Sequence, residues 1–247
     1  MSTSSTSPAD PEFKTTNNRW WEVYIIRYFV GTVIGGAVLL YLNNAKTSRL
    51  SNLILPGVTD ISKLDMQLLI LLGAMGLAFC YISSAPILVL HASRAAFLRE
   101  DRTSFNWILG GSCVLILIAA TGFRIFSSFN NVDILSTTAL ALVIFVQAVP
   151  LTFSLLKNGE ISHKYYTDLT KARTKTDLAS QEYKESYRHL REHGNAFLIV
   201  FFEAVLGIVL VAATSADMAA IVLICWILPA ALIWVHGSVL EYRFSKP

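Results

Sequence analysis

The sequence has few charged residues: Asp, Glu, Lys and Arg make up 15% of its 247 positions, whereas an ordinary soluble domain contains about 25%. Hydrophobic residues make up 54% and are concentrated in blocks, which is typical of a membrane protein. A hydrocarbon core of about 30 Å is crossed by about 20 apolar residues in a helix. The sequence therefore predicts an all-α integral membrane protein, with the lipid bilayer as its first partner.

Cysteine is scarce, and the common sequence motifs of catalytic centres are absent. Cys80, Cys113 and Cys225 all fall inside apolar blocks, so neither a disulfide framework nor a spaced metal site is predicted. The chain also lacks a glycine-rich phosphate loop, His-Glu-x-x-His, Cys-x-x-Cys and Gly-x-Ser-x-Gly. We therefore expect neither an enzyme nor a cofactor.

Six apolar blocks are long enough to form transmembrane helices, and we predict that they pair as three successive hairpins. They occupy residues 23–42, 66–90, 107–126, 134–156, 196–214 and 218–240. The last two share a very short connection, 215–217. The predicted organisation is a disordered tail (1–19), four transmembrane helices (20–156), a soluble segment (157–195), two further transmembrane helices (196–240) and a short tail (241–247).

The distribution of basic residues predicts the orientation of the chain in the membrane. Lys and Arg are enriched in cytoplasmic loops, and 16 of the 20 lie on the cytoplasmic side if the N-terminus is placed inside. Both termini are therefore predicted to be cytoplasmic, and we assign the protein to a bacterial inner membrane.

Glycine and proline within the predicted helices indicate where these helices pack closely and where they bend. One face of the first helix carries small residues at four-residue spacing, which lets a second helix, of the same chain or of another copy, approach closely: Gly31, Gly35 and Gly36. Each inward-running helix contains a proline, which removes a backbone hydrogen bond and predicts a kink: Pro86, Pro150 and Pro229. Packing kinks are the simpler interpretation, and hinges that gate a pore are the alternative.

Polar side chains inside the apolar blocks form the candidate site. Glu203 and Arg27 each lie about 10 Å inside the inner boundary, where an isolated charge costs about 2.5–3.5 kcal/mol near the helix centre and usually pairs or faces water. We predict an Arg27–Glu203 ion pair, with Gln147 completing a polar layer. The alternatives are that Arg27 reaches the headgroups and that Glu203 is protonated.

The soluble segment 157–195 is predicted to be a cytoplasmic helical hairpin. Apolar residues recur in steps of three and four, which indicates an amphipathic helix, and one unbroken helix would be about 50 Å long. The reversal is expected at residues 173–177, with Thr176 or Asp177 as the cap of the second arm, and a helix lying flat in the interface is the alternative. Its eight basic and six acidic residues alternate, so we expect no direct nucleic-acid binding. The apolar stripe either closes the hairpin on itself or contacts another copy or a soluble partner, and the candidate contact residues are Tyr165, Leu169, Tyr183, Tyr187 and Leu190.

Two classes of function fit this organisation. The first is a non-enzymatic, homo-oligomeric membrane component that anchors or signals to a soluble cytoplasmic protein through the hairpin. The second is a small channel or transporter gated at the level of Arg27, Gln147 and Glu203. A membrane sensor or effector of a bacterial anti-phage defence system is a special case of either class.

Overall fold

The computed structural model describes residues 20–45, 48–51, 53–58, 65–93, 103–126, 130–155, 160, 163–164, 167 and 196–244. For residues 20–27, 103–106, 121–126, 240–241 and 243–244 it describes the backbone alone. Within this part of the chain every extended regular element is an α-helix. The helices are α1 (Trp20–Asn44), α2 (Met66–Ser83), α3 (Ala85–Ala92), α4 (Thr103–Phe126), α5 (Asn131–Leu155), α6 (Ala196–Val211) and α7 (Ala216–Phe244).

The helices carry large apolar side chains on their outer surface as well as in the core. Ile70, Trp107 and Trp234 are each about two-thirds or more exposed, which suits a helix surrounded by lipid. Three helical stretches are long and apolar enough to cross a membrane: Met66–Ala92, Asn131–Leu155 and Ala216–Val239, with mean hydropathies of 2.0, 2.1 and 2.6. The described part of the chain is therefore all-helical, and its three long apolar helices indicate a membrane-embedded protein.

Shorter apolar helical stretches overlap the other three predicted spans, at Tyr28–Asn44, Trp107–Ala120 and Ala196–Val211. Neighbouring helices of the first two predicted hairpins are in contact, since α1 packs on α2 and α4 packs on α5. Helix α7 packs against α3 and α5. The three long apolar helices support the membrane class, whereas the six-span, three-hairpin arrangement stays a prediction.

The second predicted span is interrupted where a proline follows. Helix α2 ends at Ser83, and Pro86 lies in the first turn of α3, where its missing N–H is tolerated. The Ile87 N–H bonds to the Ser84 carbonyl at 2.9 Å, and the Ser83 carbonyl accepts a hydrogen bond from Trp226 Nε1 at 3.4 Å. The fully buried Trp226 on α7 thus compensates for the interrupted helix.

The other two prolines behave differently, because Pro150 and Pro229 lie inside the continuous helices α5 and α7. The connection between α6 and α7 comprises residues 212–215, slightly earlier than predicted. Ser215 accounts for the earlier start of α7, since its Oγ accepts a hydrogen bond from the Met218 N–H at 3.2 Å and Ser215 is thus the N-cap of that helix.

The side chain of Asn43, which is fully buried, ties the loop after α1 to the end of that helix. Its Nδ2 donates to the Leu55 carbonyl at 3.2 Å and to the Val58 carbonyl at 3.0 Å, and its Oδ1 accepts from the Leu55 N–H at 2.8 Å. The loop buries Leu50, Leu55 and Val58, and Leu50 belongs to the main apolar core. This part of the loop therefore packs on the helix bundle.

Candidate intramembrane polar site

Glu203 lies where α1, α2 and α6 meet, and its side chain is fully buried. Neither carboxyl oxygen has a hydrogen-bond partner among the described residues. The space for the carboxyl is created by glycine, because a Cβ atom on Gly31 or Gly35 would lie only 3.3 or 3.4 Å from Glu203 Oε1. The carboxyl group thus fills the gap left by two missing side chains on α1.

The thiol of Cys80, on α2, closes the same space. Cys80 is fully buried, and a Cβ atom on Gly31 would lie 2.4 Å from its Sγ. Gly31, Cys80 and Glu203 therefore converge from three different helices. A thiol is only a weak hydrogen-bond donor, so this neighbour does little to compensate a negative charge on the carboxyl.

The glycine face of α1 also sets how closely α2 approaches. A Cβ atom on Gly76 would lie 2.3 Å from the Thr32 carbonyl oxygen and 2.8 Å from the Gly36 nitrogen. A Cβ atom on Gly35 would lie 2.6 Å from the Gly76 carbonyl oxygen. The predicted packing glycines Gly31, Gly35 and Gly36 thus face α2, and Gly31 and Gly35 also border the carboxyl. In this structure their partner helices belong to the same chain.

Arg27, the predicted partner of Glu203, lies on α1 one helical turn before Gly31. Its side chain falls outside the described residues, so the ion pair stays a prediction. Residues Tyr165, Leu169, Tyr183, Tyr187 and Leu190 of the predicted hairpin also fall outside the described part of the chain.

Gln147 lies on α5 and is also fully buried, and neither amide atom has a hydrogen-bond partner among the described residues. The start of α5 lies beside the end of α6, because Ser136 Oγ donates to the Val209 carbonyl at 2.8 Å. From this contact, Gln147 lies eleven residues along α5 and Glu203 lies six residues back along α6. For straight antiparallel helices, Gln147 is therefore about 7 Å deeper than Glu203, measured from the predicted outer end. The structure does not join the two side chains by a hydrogen bond.

Sequence reasoning did not identify Cys80, Gly76 or Trp226 as parts of this arrangement. Cys80 reads as an ordinary core residue, and Gly76 follows Gly73 at a spacing that leaves open which of the two faces another helix. Nothing in the sequence around Trp226 indicates its contact with α2, because it is one of many apolar residues in the block 218–240. Within the described residues, no group of three or more His, Cys, Asp and Glu side chains could hold a metal ion.

Comparison with known proteins gives no further guidance, since no family model, curated protein or solved structure matches this chain.

Proposed function

We propose that the protein is a small six-helix membrane transporter that couples the movement of a proton to a change in helix packing. The Glu203 carboxyl is the proton-binding group in this proposal. The supporting observation is that this side chain is fully buried among membrane helices without a hydrogen-bond partner among the described residues.

The energetic argument concerns why a carboxyl group occupies this position at all. An isolated charge near the centre of a membrane helix costs about 2.5–3.5 kcal/mol on insertion scales. A leucine or glutamine would avoid this cost at the same position. Ionisable residues inside membrane segments therefore commonly mark ion pathways and proton relays, and Glu203 fits this pattern.

The close packing around Glu203 favours a proton over a larger ion. The carboxyl is bordered by Gly31 and Gly35, where even a single added carbon atom would be crowded. A metal or alkali cation needs several oxygen ligands, whereas a proton needs one lone pair. The site as packed therefore suits proton binding.

Proton release would require the carboxyl to gain water or a cationic partner. Separation of α1 from α6 would provide this access. The break between α2 and α3 at Ser84 would act as a hinge for this movement, since it lies about one helical turn after Cys80. We call the state with α1 and α6 separated the open state. Arg27, one turn before Gly31 on α1, is the proposed partner of the ionised Glu203 carboxylate in that state. This scheme retains Arg27 and Glu203 as the functional pair and assigns their contact to the open state.

The test is proton flux in reconstituted vesicles. Purified protein is placed in liposomes that contain a pH-sensitive dye, and an imposed pH gradient drives the flux. Glu203→Gln keeps the size of the side chain and removes its ability to exchange a proton. Glu160→Gln is the matched control, because Glu160 is exposed and lies outside the long apolar helices.

We expect wild type and Glu160→Gln to dissipate the gradient, and Glu203→Gln to fall to the rate of protein-free vesicles. Infrared difference spectra should show a protonated-carboxyl band that is missing from Glu203→Gln. Equal flux in Glu203→Gln and wild type would refute the assignment. Absence of flux in wild type would instead leave Glu203 as a helix-packing residue and remove the transport proposal.

A further inference from the structure

A second site lies at the predicted outer end of the bundle, between α4, α5, α6 and α7. It is a cavity of about 700 Å³, within the range of about 300–1,000 Å³ that is typical of ligand pockets. Its wall is mainly apolar and includes Ile116, Leu140, Ala141, Val209 and Val222. Two of its lining residues, Ala119 and Met218, are also exposed on the surface of the bundle, so the cavity communicates with the surroundings.

Two opposite charges border this apolar space. Arg49 comes from the loop after α1, and Asp133 comes from the first turn of α5. They are the two charged side chains among the described residues that line the cavity, and no ion pair joins them to each other. One cationic and one anionic side chain therefore border the same apolar wall.

This cavity is separate from the Glu203 site. Val209 on α6 and Ala213 in the connection that follows it line the cavity, whereas Glu203 faces Gly31 and Gly35 on α1. Six residues along a helix rotate the side chain by about 240°, so Glu203 and Val209 lie on different sides of α6. A ligand in the cavity would not contact the carboxyl.

We propose that this cavity binds one phospholipid whose head group carries a phosphate and a primary ammonium, such as phosphatidylethanolamine. An acyl chain fills the apolar space, the phosphate binds the Arg49 guanidinium, and the ammonium binds the Asp133 carboxylate. Arginine binds phosphate through paired, charge-assisted hydrogen bonds. An anionic lipid without an ammonium would satisfy Arg49 and be repelled by Asp133, which is why the zwitterion is the better complement.

Native mass spectrometry of the purified, delipidated protein tests this proposal. The protein is reloaded from mixed micelles that contain equal amounts of phosphatidylethanolamine, phosphatidylcholine and phosphatidylglycerol. Ala141→Phe fills the cavity, and Ala74→Phe is the matched control because Ala74 is exposed on α2, outside the cavity lining. Arg49→Gln and Asp133→Asn test the head-group contacts separately, and both change exposed or partly exposed side chains.

We expect wild type and Ala74→Phe to retain one phosphatidylethanolamine in preference to the other lipids, and Ala141→Phe to lose it. Arg49→Gln should lower retention by about tenfold, as expected for loss of a charged hydrogen bond. Asp133→Asn should remove the preference over phosphatidylglycerol. Retention of lipids in the proportions supplied, or equal retention by Ala141→Phe and Ala74→Phe, would show annular lipid only and overturn the proposal.

Discussion

The contact between α1 and α2 makes a strong prediction about Gly76. A methyl group added at this position would meet backbone atoms of α1, since its Cβ would lie 2.3 Å from the Thr32 carbonyl oxygen and 2.8 Å from the Gly36 nitrogen. Backbone atoms cannot rotate away as a flexible side chain can. Gly76→Ala should therefore force the two helices apart.

The size of the effect follows from how far the added Cβ atom falls short of a normal contact distance to the Thr32 carbonyl oxygen. A separation of 2.3 Å is about 1.1 Å less than the 3.4 Å at which ordinary contact begins. A gap of 0.5–1 Å removes about a quarter to a half of the dispersion attraction between facing atoms, and close packing is a main source of helix association in lipid. We expect Gly76→Ala to lower the free energy of unfolding by about 3 kcal/mol, the upper end of typical overpacking.

Gly73 provides a matched control on the same helix, because a Cβ atom there would have no neighbour within 4 Å. Gly73→Ala should not lower the free energy of unfolding, and it should raise that energy by up to about 1 kcal/mol because alanine favours the helix more than glycine does. Both variants are unfolded in mild detergent by increasing amounts of dodecyl sulfate, and tryptophan fluorescence follows the loss of the buried Trp226 environment. If the two variants unfold within about 0.5 kcal/mol of each other, the close approach of α1 and α2 is refuted.

Two further predictions concern the α5–α6 contact and the soluble segment. Ser136→Ala should lower the free energy of unfolding by about 0.6 kcal/mol, the average for a hydrogen bond between membrane helices, because it removes the 2.8 Å bond to the Val209 carbonyl. Ser112→Ala is the control, since Ser112 is bonded within its own helix; an equal loss in both would contradict the prediction. If the segment 157–195 docks a soluble protein, deletion of residues 160–193 should abolish its co-purification from mild detergent. Recovery of the same protein with the deletion variant would count against that role.

Helix positions could be predicted from hydropathy because a membrane-crossing helix needs a long apolar run. The runs 23–42 and 107–126 lie inside α1 (Trp20–Asn44) and α4 (Thr103–Phe126). The observed helices extend further at one or both ends, since backbone hydrogen bonding continues into polar residues that hydropathy does not count. Pro86 signalled a disturbance in the second run, but a proline alone does not predict whether a helix bends or is interrupted.

Contacts between the helices could not be predicted in the same way. The helices are apolar on several sides, so hydrophobicity does not distinguish a face that meets lipid from one that meets another helix. Gly73 and Gly76 illustrate this limit, because the two residues are chemically identical and only Gly76 touches α1. Asn43 illustrates it for polar residues, since its role depends on carbonyl groups twelve and fifteen residues later.

The glycine contacts and the buried carboxyl are parts of one arrangement. Gly31 and Gly35 are small enough both to admit α2 and to leave room for the Glu203 side chain. A substitution that pushes α1 outward would therefore also open the space around the carboxyl. If Glu203 is a proton-binding group, Gly35→Ala should allow faster proton exchange as well as weaker packing, because a Cβ there meets both the Gly76 carbonyl at 2.6 Å and Glu203 Oε1 at 3.4 Å. A purely structural carboxyl would show the weaker packing without any proton flux, so measuring both quantities on the same variant separates the two roles.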